Sequence, residues 1–301
     1  MELRQFKYFV RIVDLGSISR AAGALFIAQS ALSHQLAKLE AELGCTLLRR
    51  GTRGVSLTLA GERFYESAVR VLQEVDELTL ALQGDAIVPR GRVTLGVPSS
   101  VSYLCAGALI ATVSQRLPNV LLNIQESTSA SLPAALLAGH LDFAVMFSDD
   151  VVQGIDATTL FEESLFLAER RMPGSGDDLE PEIDIATLEG RRLAMTPPAN
   201  TVRRLLDAAC RSHGVRYQLA VEASSPTSIL TAVRQGNVAT VTPWSAARTW
   251  MDDPSLLIRR IRQPHLVRTV VMARPKDAPL NEATAAVLGI LREILQELAP
   301  Q

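Results

Sequence analysis

The sequence predicts an α/β chain in three parts: a winged helix-turn-helix, a linker helix, and a two-lobed α/β body. Three observations predict it. The first sixty or so residues set three helical patterns ahead of an arginine-rich hairpin. Residues 64–82 repeat apolar side chains at intervals of four and three. Beyond residue 92, strand and helix patterns alternate, and the alternation occurs twice. With 301 residues, 48% of them hydrophobic, the chain is long enough for two or three packed units with sizeable cores.

In the head, Phe6, Phe9, Val10 and Val13 recur at helical spacing, so residues 2–14 read as an amphipathic helix. Gly16 ends it, and Ser17 caps a short helix reaching Phe26, with Ala21, Ala22 and Leu25 inward. Ile27-Ala28 makes the turn. A third helix runs from Gln29 to Leu43, where Leu32, Leu36, Leu39 and Leu43 make one buried stripe. Its other face begins Gln29, Ser30, Ser33, His34 and continues to Lys38. Short polar side chains at a helix N-terminus are what a recognition helix offers to base edges and phosphates. After Gly44, two short strand-like pieces flank a tip with Gly51, Gly54 and the arginines Arg49, Arg50 and Arg53. That is a wing, able to bring guanidiniums to a DNA backbone or minor groove. Residues 1–61 hold eight Lys/Arg against four Asp/Glu, although the whole chain has a net charge of −2. A basic head on an acidic body fits a DNA reader fused to something else. A three-helix bundle with a basic surface loop is the plainer alternative; the order of the elements favours the DNA reader.

Thr58 can cap the linker helix, with Glu62 in its first turn. Phe64, Ala68, Val71, Val75, Leu78 and Leu82 then form a heptad seam. A helix packed on its own body would also produce such a seam. Pairing with a second copy is favoured, because one winged head touches few base pairs. Gly84, Pro89 and Gly91 mark the hinge. The expected parts are therefore a head at 1–58, a linker at 59–88 and a body at 92–301.

In the body, 93–97 is a buried-type strand, followed by a helix over 101–116, a strand over 120–125, a helix over 131–138 and a strand over 143–146. The order repeats with strands at 193–196, 217–222 and 238–241 and helices at 201–212 and 227–235. Two such units imply two lobes with a cleft between them, joined by crossings near 161–164 and 264–267. The last strand (269–273) and helix (281–298) return to the first lobe. Lobe I would be 92–161 with 267–301, and lobe II 162–266. Ligands of such sheets bind at strand C-termini near helix N-termini. Those positions carry Ser99 and Ser100, Thr128 and Ser129, and Asn200 and Thr201, with Arg203 either a counter-charge or equally a solvated helix residue. Hydroxyls and amide N–H groups suit a small anion or carboxylate, although Ser and Thr also cap helices with no ligand.

Other classes fit less well. Cys45, Cys105 and Cys210 stand in no CxxC spacing and His34, His140, His213 and His265 in no ligand spacing, so neither a metal, a cofactor nor a disulfide framework is expected. No GxSxG, HExxH or P-loop occurs, which argues against an enzyme. Residues 93–115 carry no charge, but Gly96, Pro98, Gly107 and several serines favour strand and helix over a membrane span. With no signal peptide expected, a cytoplasmic location follows. A two-lobed enzyme or solute-binding protein acting on a small anionic metabolite remains the rival.

The strings Tyr8-Phe9-Val10, Gly16-Ser17-Ile18-Ser19-Arg20-Ala21-Ala22, Gln29-Ser30-Ala31-Leu32-Ser33, Leu39-Glu40, Leu43-Gly44, Leu47-Leu48-Arg49-Arg50 and Thr58-Leu59-Ala60-Gly61 resemble the head of the LysR-type transcriptional regulators, and among them the nitrogen-assimilation-control subgroup. Leu136-Leu137-Ala138-Gly139 and Leu141-Asp142-Phe143-Ala144-Val145 extend the resemblance to that family's effector-sensing part and, through it, to the periplasmic binding-protein architecture. The resemblance implies a regulator that binds a dyad in promoter DNA as a homodimer or homotetramer, under a small-molecule effector. It implies base contacts from Gln29, Ser30, Ser33 and His34 and backbone contacts from Arg50 and Arg53. The chain departs from many members in having His34 for Arg and Ser30 for Pro. A histidine makes a shorter, single contact where arginine would grip guanine bidentately.

Overall fold

Helices α1 (Leu3–Leu15), α2 (Ile18–Ala24) and α3 (Gln29–Leu43) precede a hairpin of β1 (Leu48–Gly51) and β2 (Gly54–Leu57), and α4 (Leu59–Ala81) follows. The computed structural model describes residues 1–51, 54–81, 89–172, 180–276 and 278–300, with every side chain in those ranges except at 50, 73, 74 and 76–81. The chain divides into two units, Met1–Gly91 and Arg92–Gln301.

The first unit is built on the apolar faces of its three short helices. Phe9, Ile12, Ala21, Ala22, Leu32, Leu36 and Leu39 form its core with Leu47 and Leu48. Leu43, expected to complete the α3 stripe, is exposed. The stripe drifts round the helix, and Gly44 in the left-handed region (φ 67°) ends α3 there. The Ser17 side chain accepts from the Arg20 amide and starts α2. Thr58 starts α4, its Oγ1 accepting from the Gly61 amide at 3.0 Å and donating to the Thr46 carbonyl at 2.7 Å. Gly61 must be glycine, because a Cβ there would overlap the Leu47 carbonyl oxygen.

In the second unit, β3 (Gly91–Val97), α5 (Ser99–Arg116), β4 (Val120–Glu126), α6 (Leu132–Leu137) and β5 (Phe143–Phe147) lead into β6 (Ile155–Arg170). Then come β7 (Glu182–Asp184), β8 (Arg192–Met195), α7 (Thr201–His213), β9 (Gln218–Glu222), α8 (Pro226–Arg234), β10 (Thr240–Pro243), α9 (Trp244–Ala247), β11 (Leu256–Gln263), β12 (Val267–Pro275) and α10 (Glu282–Leu298). One sheet runs β4-β3-β5-β12-β6-β11-β7, with β10 also on β6; a second holds β8 and β9.

Strand β6 is the spine. Residues 155–164 pair with β12, while residues 165–170 pair with β10 and β11. The sequence places a crossing at 161–164, and there the backbone stays an unbroken strand. It also assigns no strand to 256–263, where β11 lies. Both segments mix charged and apolar residues, and their pairing is long-range, so local pattern under-reports them. Separate cores flank this spine. The packing of β3 and β5 against α5 and α10 centres on Leu95, Leu109, Phe143 and Leu291. The other lobe buries Leu165, Leu193, Leu206 and Ile261.

Candidate nucleic-acid interface and effector cleft

On α3, Gln29, Ser30, His34 and Lys38 are exposed and Ser33 is half-buried. Ser30, His34 and Lys38 lie on the face away from Leu32, Leu36 and Leu39, with Ser33 at its border and Gln29 at the start of the helix. Ala28 precedes the helix without a side-chain cap, so the first-turn amides have no side-chain acceptor from it. Ser19 Oγ donates to Gln29 Oε1 at 3.0 Å and orients that amide. Lys38 Nζ lies 3.9 Å from Glu2 Oε1, an exposed pair that costs little to break. In the hairpin, Gly51 faces Gly54. Gly54 has φ 123°, and a Cβ on it would overlap the Gly16 carbonyl oxygen. The Val55 amide donates to that same carbonyl at 3.1 Å. Glu40, to which the sequence reading gave no role, holds the hairpin's start, its Oε1 accepting from the Leu47 and Leu48 amides at 2.7 and 3.1 Å. The Arg50 side chain and Arg53 lie outside the described residues.

The first two residues of the expected linker seam pack within the first unit. Phe64 stacks edge-on against Phe6 and Phe9 with ring centroids 5.1 Å apart. Ala68 is fully buried. Both are consumed inside the head, because the first turns of α4 pack on α1. Val71 and Val75 are half-buried, the Leu78 side chain is not described, and Leu82 lies outside the described residues.

In the second unit a cavity of about 250 Å³ opens between the lobes. Ser99, Ser100, Thr128, Ser129, Asn200 and Thr201 all line it. Three local devices put them there. Pro98 ends β3 and starts α5 without a side-chain cap. Ser129 stands in a 3₁₀ turn, its Oγ accepting from the Phe147 amide at 3.2 Å. Asn200 caps α7, its Oδ1 accepting from the Val202 amide at 2.9 Å.

Arg203 is not among the lining residues. It pairs with Asp207 at 2.8 Å, approaches the Tyr217 ring at 5.7 Å and donates to the Thr196 carbonyl at 3.3 Å. Its place one turn into α7 aims it at Asp207 on the next turn. The cation that does line the cleft is Arg268, which the sequence reading missed; Glu126, whose Oε1 accepts from Ser102 Oγ at 2.7 Å, lines it too. Arg268 Nε donates to Glu163 Oε1 at 2.7 Å and its Nη2 to Ser100 Oγ at 2.9 Å. Its guanidinium carbon sits 3.7 Å from the centroid of the Phe147 ring. Glu163 Oε2 also accepts from the Ser245 amide at 2.7 Å. Burial pushes the Arg268 pKa down, and the Glu163 charge works against that shift. The available signal was weak: one of two adjacent glutamates in the first expected crossing and an arginine just past the second.

Two cross-lobe contacts flank the cavity. Arg204 Nη2 meets Asp150 Oδ1 at 3.0 Å, and Thr201 Oγ1 lies 3.3 Å from Asp150 Oδ2. Tyr103 OH and Thr227 Oγ1 are 2.9 Å apart. Among the described residues, no cluster of His, Cys, Asp and Glu could hold a metal, and no helix is long and apolar enough to cross a membrane.

Residues 3–62 match the bacterial regulatory helix-turn-helix proteins of the lysR family, and residues 87–296 match the LysR substrate binding domain. The chain belongs to the LysR family. It is a DNA-binding transcription regulator with an effector-binding domain, and not an enzyme. The LysR chain is 33% identical over 296 residues to the nitrogen assimilation regulatory protein nac of Klebsiella aerogenes, covering 98% of this chain and 95% of that one. It is 30% identical, with the same coverages, to nac of Escherichia coli K12. Among solved structures, full-length CbnR complexed with target DNA superposes with a TM-score of 0.69 at 24% identity, covering 99% of this chain and 100% of that one. An OxyR C206 mutant from Corynebacterium glutamicum gives 0.64 at 24%, covering 99% and 93%. Both show the shared fold.

Proposed function

We propose that this LysR regulator binds a dyad in promoter DNA as a homo-oligomer and senses a small polar metabolite in the cleft between its lobes. The observation that carries the sensing is the meeting of six hydroxyl and amide side chains, drawn from both lobes, around one cavity floored by Arg268. Ser99, Ser100, Thr128 and Ser129 come from one lobe, Asn200 and Thr201 from the other. A ligand bridging them stabilises one lobe geometry over another, which is the requirement for a switch. Among the described residues, Arg268 Nη1 has no hydrogen bond to the protein, so an anion or carbonyl group is its natural partner.

Gln29, Ser30, Ser33 and His34 are proposed to read bases, with Lys38, Arg50 and Arg53 on phosphates. Self-association draws support from the remaining Val71–Val75 seam and from exposed edges of the second unit. All of β9 is exposed, including Leu219 and Val221, and so are Leu121 on β4 and Ile110 on α5. Unpaired strand edges with apolar side chains invite a second copy. Action on promoter DNA calls for a cytoplasmic location.

The test selects a duplex from a random pool with the full-length protein, then screens metabolites by thermal shift and by footprint. A hit whose shift disappears in Ser100→Ala or Thr128→Ala, with an altered footprint in the parent, is the expected result. A hit that shifts both variants as it shifts the parent would place the effector elsewhere.

A further inference from the structure

Phe26 stands in the turn between α2 and α3, two residues before the N-cap of the recognition helix. Its side chain is 95% exposed, far more than any other large apolar residue among those described. It is also the only described non-glycine residue with a positive φ, at 55°. Both features have one local origin. The Ile27 amide donates to the Ala22 carbonyl at 3.1 Å, and the Phe26 amide to the Gly23 carbonyl at 3.2 Å. This double bond closes α2 and requires a left-handed residue at position 26, a place that glycine or asparagine fills without strain. Ile27 follows it back into the head core. The fold therefore asks for glycine or asparagine, and the chain supplies a phenyl ring that touches no core.

The turn sits at the end of α3 that carries Gln29 and Ser30, and Gln29 is held there by Ser19. An exposed ring three residues before Gln29 stands close to whatever that end of the helix meets. Phenylalanine has no hydrogen bond to give, and the apolar feature of the major groove is the thymine methyl.

We propose that Phe26 is a specificity-determining DNA contact, packing its ring against a thymine methyl at the edge of the α3 footprint. The proposal rests on α3 being the recognition helix. A contact of this kind adds selectivity for thymine at one position per half-site without adding charge, so it leaves the salt dependence of binding unchanged.

The test uses full-length protein and a duplex it selects from a random pool. Each thymine is replaced singly by uracil, which removes only the methyl. In the parent, one replacement per half-site is expected to weaken binding about fourfold, the loss for one buried methyl. Phe26→Asn suits the left-handed backbone, so it should melt no lower than the parent and bind random duplex equally. It should bind the selected duplex about fivefold to tenfold more weakly, and the uracil effect should vanish. An unchanged uracil profile in Phe26→Asn overturns the proposal. So does a drop in melting temperature, which would assign the ring to folding, or a changed oligomeric state with the uracil effect intact, which would assign it to a subunit contact. Gln29→Ala separates the two readings. If it weakens selected binding while Phe26→Asn does not, only the Phe26 proposal falls; if neither does, the recognition-helix reading falls as well.

Discussion

Glu163→Ala removes the acceptor of a buried cation. The Glu163 side chain is fully buried and that of Arg268 is 3% exposed, with 2.7 Å between them. The substitution strips Arg268 of the one carboxylate hydrogen-bonded to it among the described residues, and the Ser245 amide of its acceptor. Stranding one member of such a pair costs about 3–5 kcal/mol. A domain of this size shifts by about 2–4 °C per kcal/mol, so the effector domain should melt roughly 6–20 °C lower. Differential scanning calorimetry on the full-length protein measures this. The companion Glu163→Gln/Arg268→Met replaces the ion pair by a neutral, largely apolar one and should recover most of the loss, since such exchanges are near neutral. A fall below about 2 °C for Glu163→Ala would refute the reasoning, as would a double variant no more stable than the single. In the first case Arg268 would not depend on Glu163; in the second, where volume is restored and the charge removed, stranded charge would not account for the loss.

Three further outcomes are expected. Asp150→Ala removes the acceptor of Arg204 and Thr201, so amide exchange at 148–151 and 199–204 should quicken about tenfold, while the first unit is unaffected; unchanged exchange would show that these bonds do not hold the lobes together. Cys45 is exposed, while burial pushes the Cys105 thiol up to about 12 and the Cys210 thiol up to about 11, so one thiol should react rapidly with a disulfide reagent at about pH 8 and none should in Cys45→Ser. Asp253 accepts from the Ser255 hydroxyl and amide and from Arg234, which lower its carboxyl from an ordinary 3.8 to about 2. Its contribution to stability is thus present above the ordinary value and is lost as pH falls through the folded one. A carbon-detected titration should put its midpoint near the folded value, and Ser255→Ala should raise that midpoint; an unmoved midpoint would leave the serine without effect.

The head was legible because its signals are local. Ser17 caps, Gly16 and Gly44 stop helices, and Leu32, Leu36 and Leu39 of α3 fall on one face within about two turns, so each element is specified by residues near it in sequence. The six cleft residues were legible for a related reason: each follows a strand and begins a helix or a turn, a position that pattern alone locates. Arg203 shows the limit. Its spacing from the N-cap resembles that of a ligand-facing residue, but α7 turns it toward Asp207.

Sequence by itself determined the order of parts, the polar face of α3, the arginine hairpin and the family to which they point, because period, caps and turn residues act over a few positions. Only the tertiary structure decided that β6 runs unbroken through both lobes and that Phe64 and Ala68 are spent inside the head. It alone paired Arg268 with Glu163, residues 105 positions apart in the chain. Those outcomes depend on which distant surfaces meet, and burial fixes the partner of a charge only after the surrounding apolar groups have closed around it.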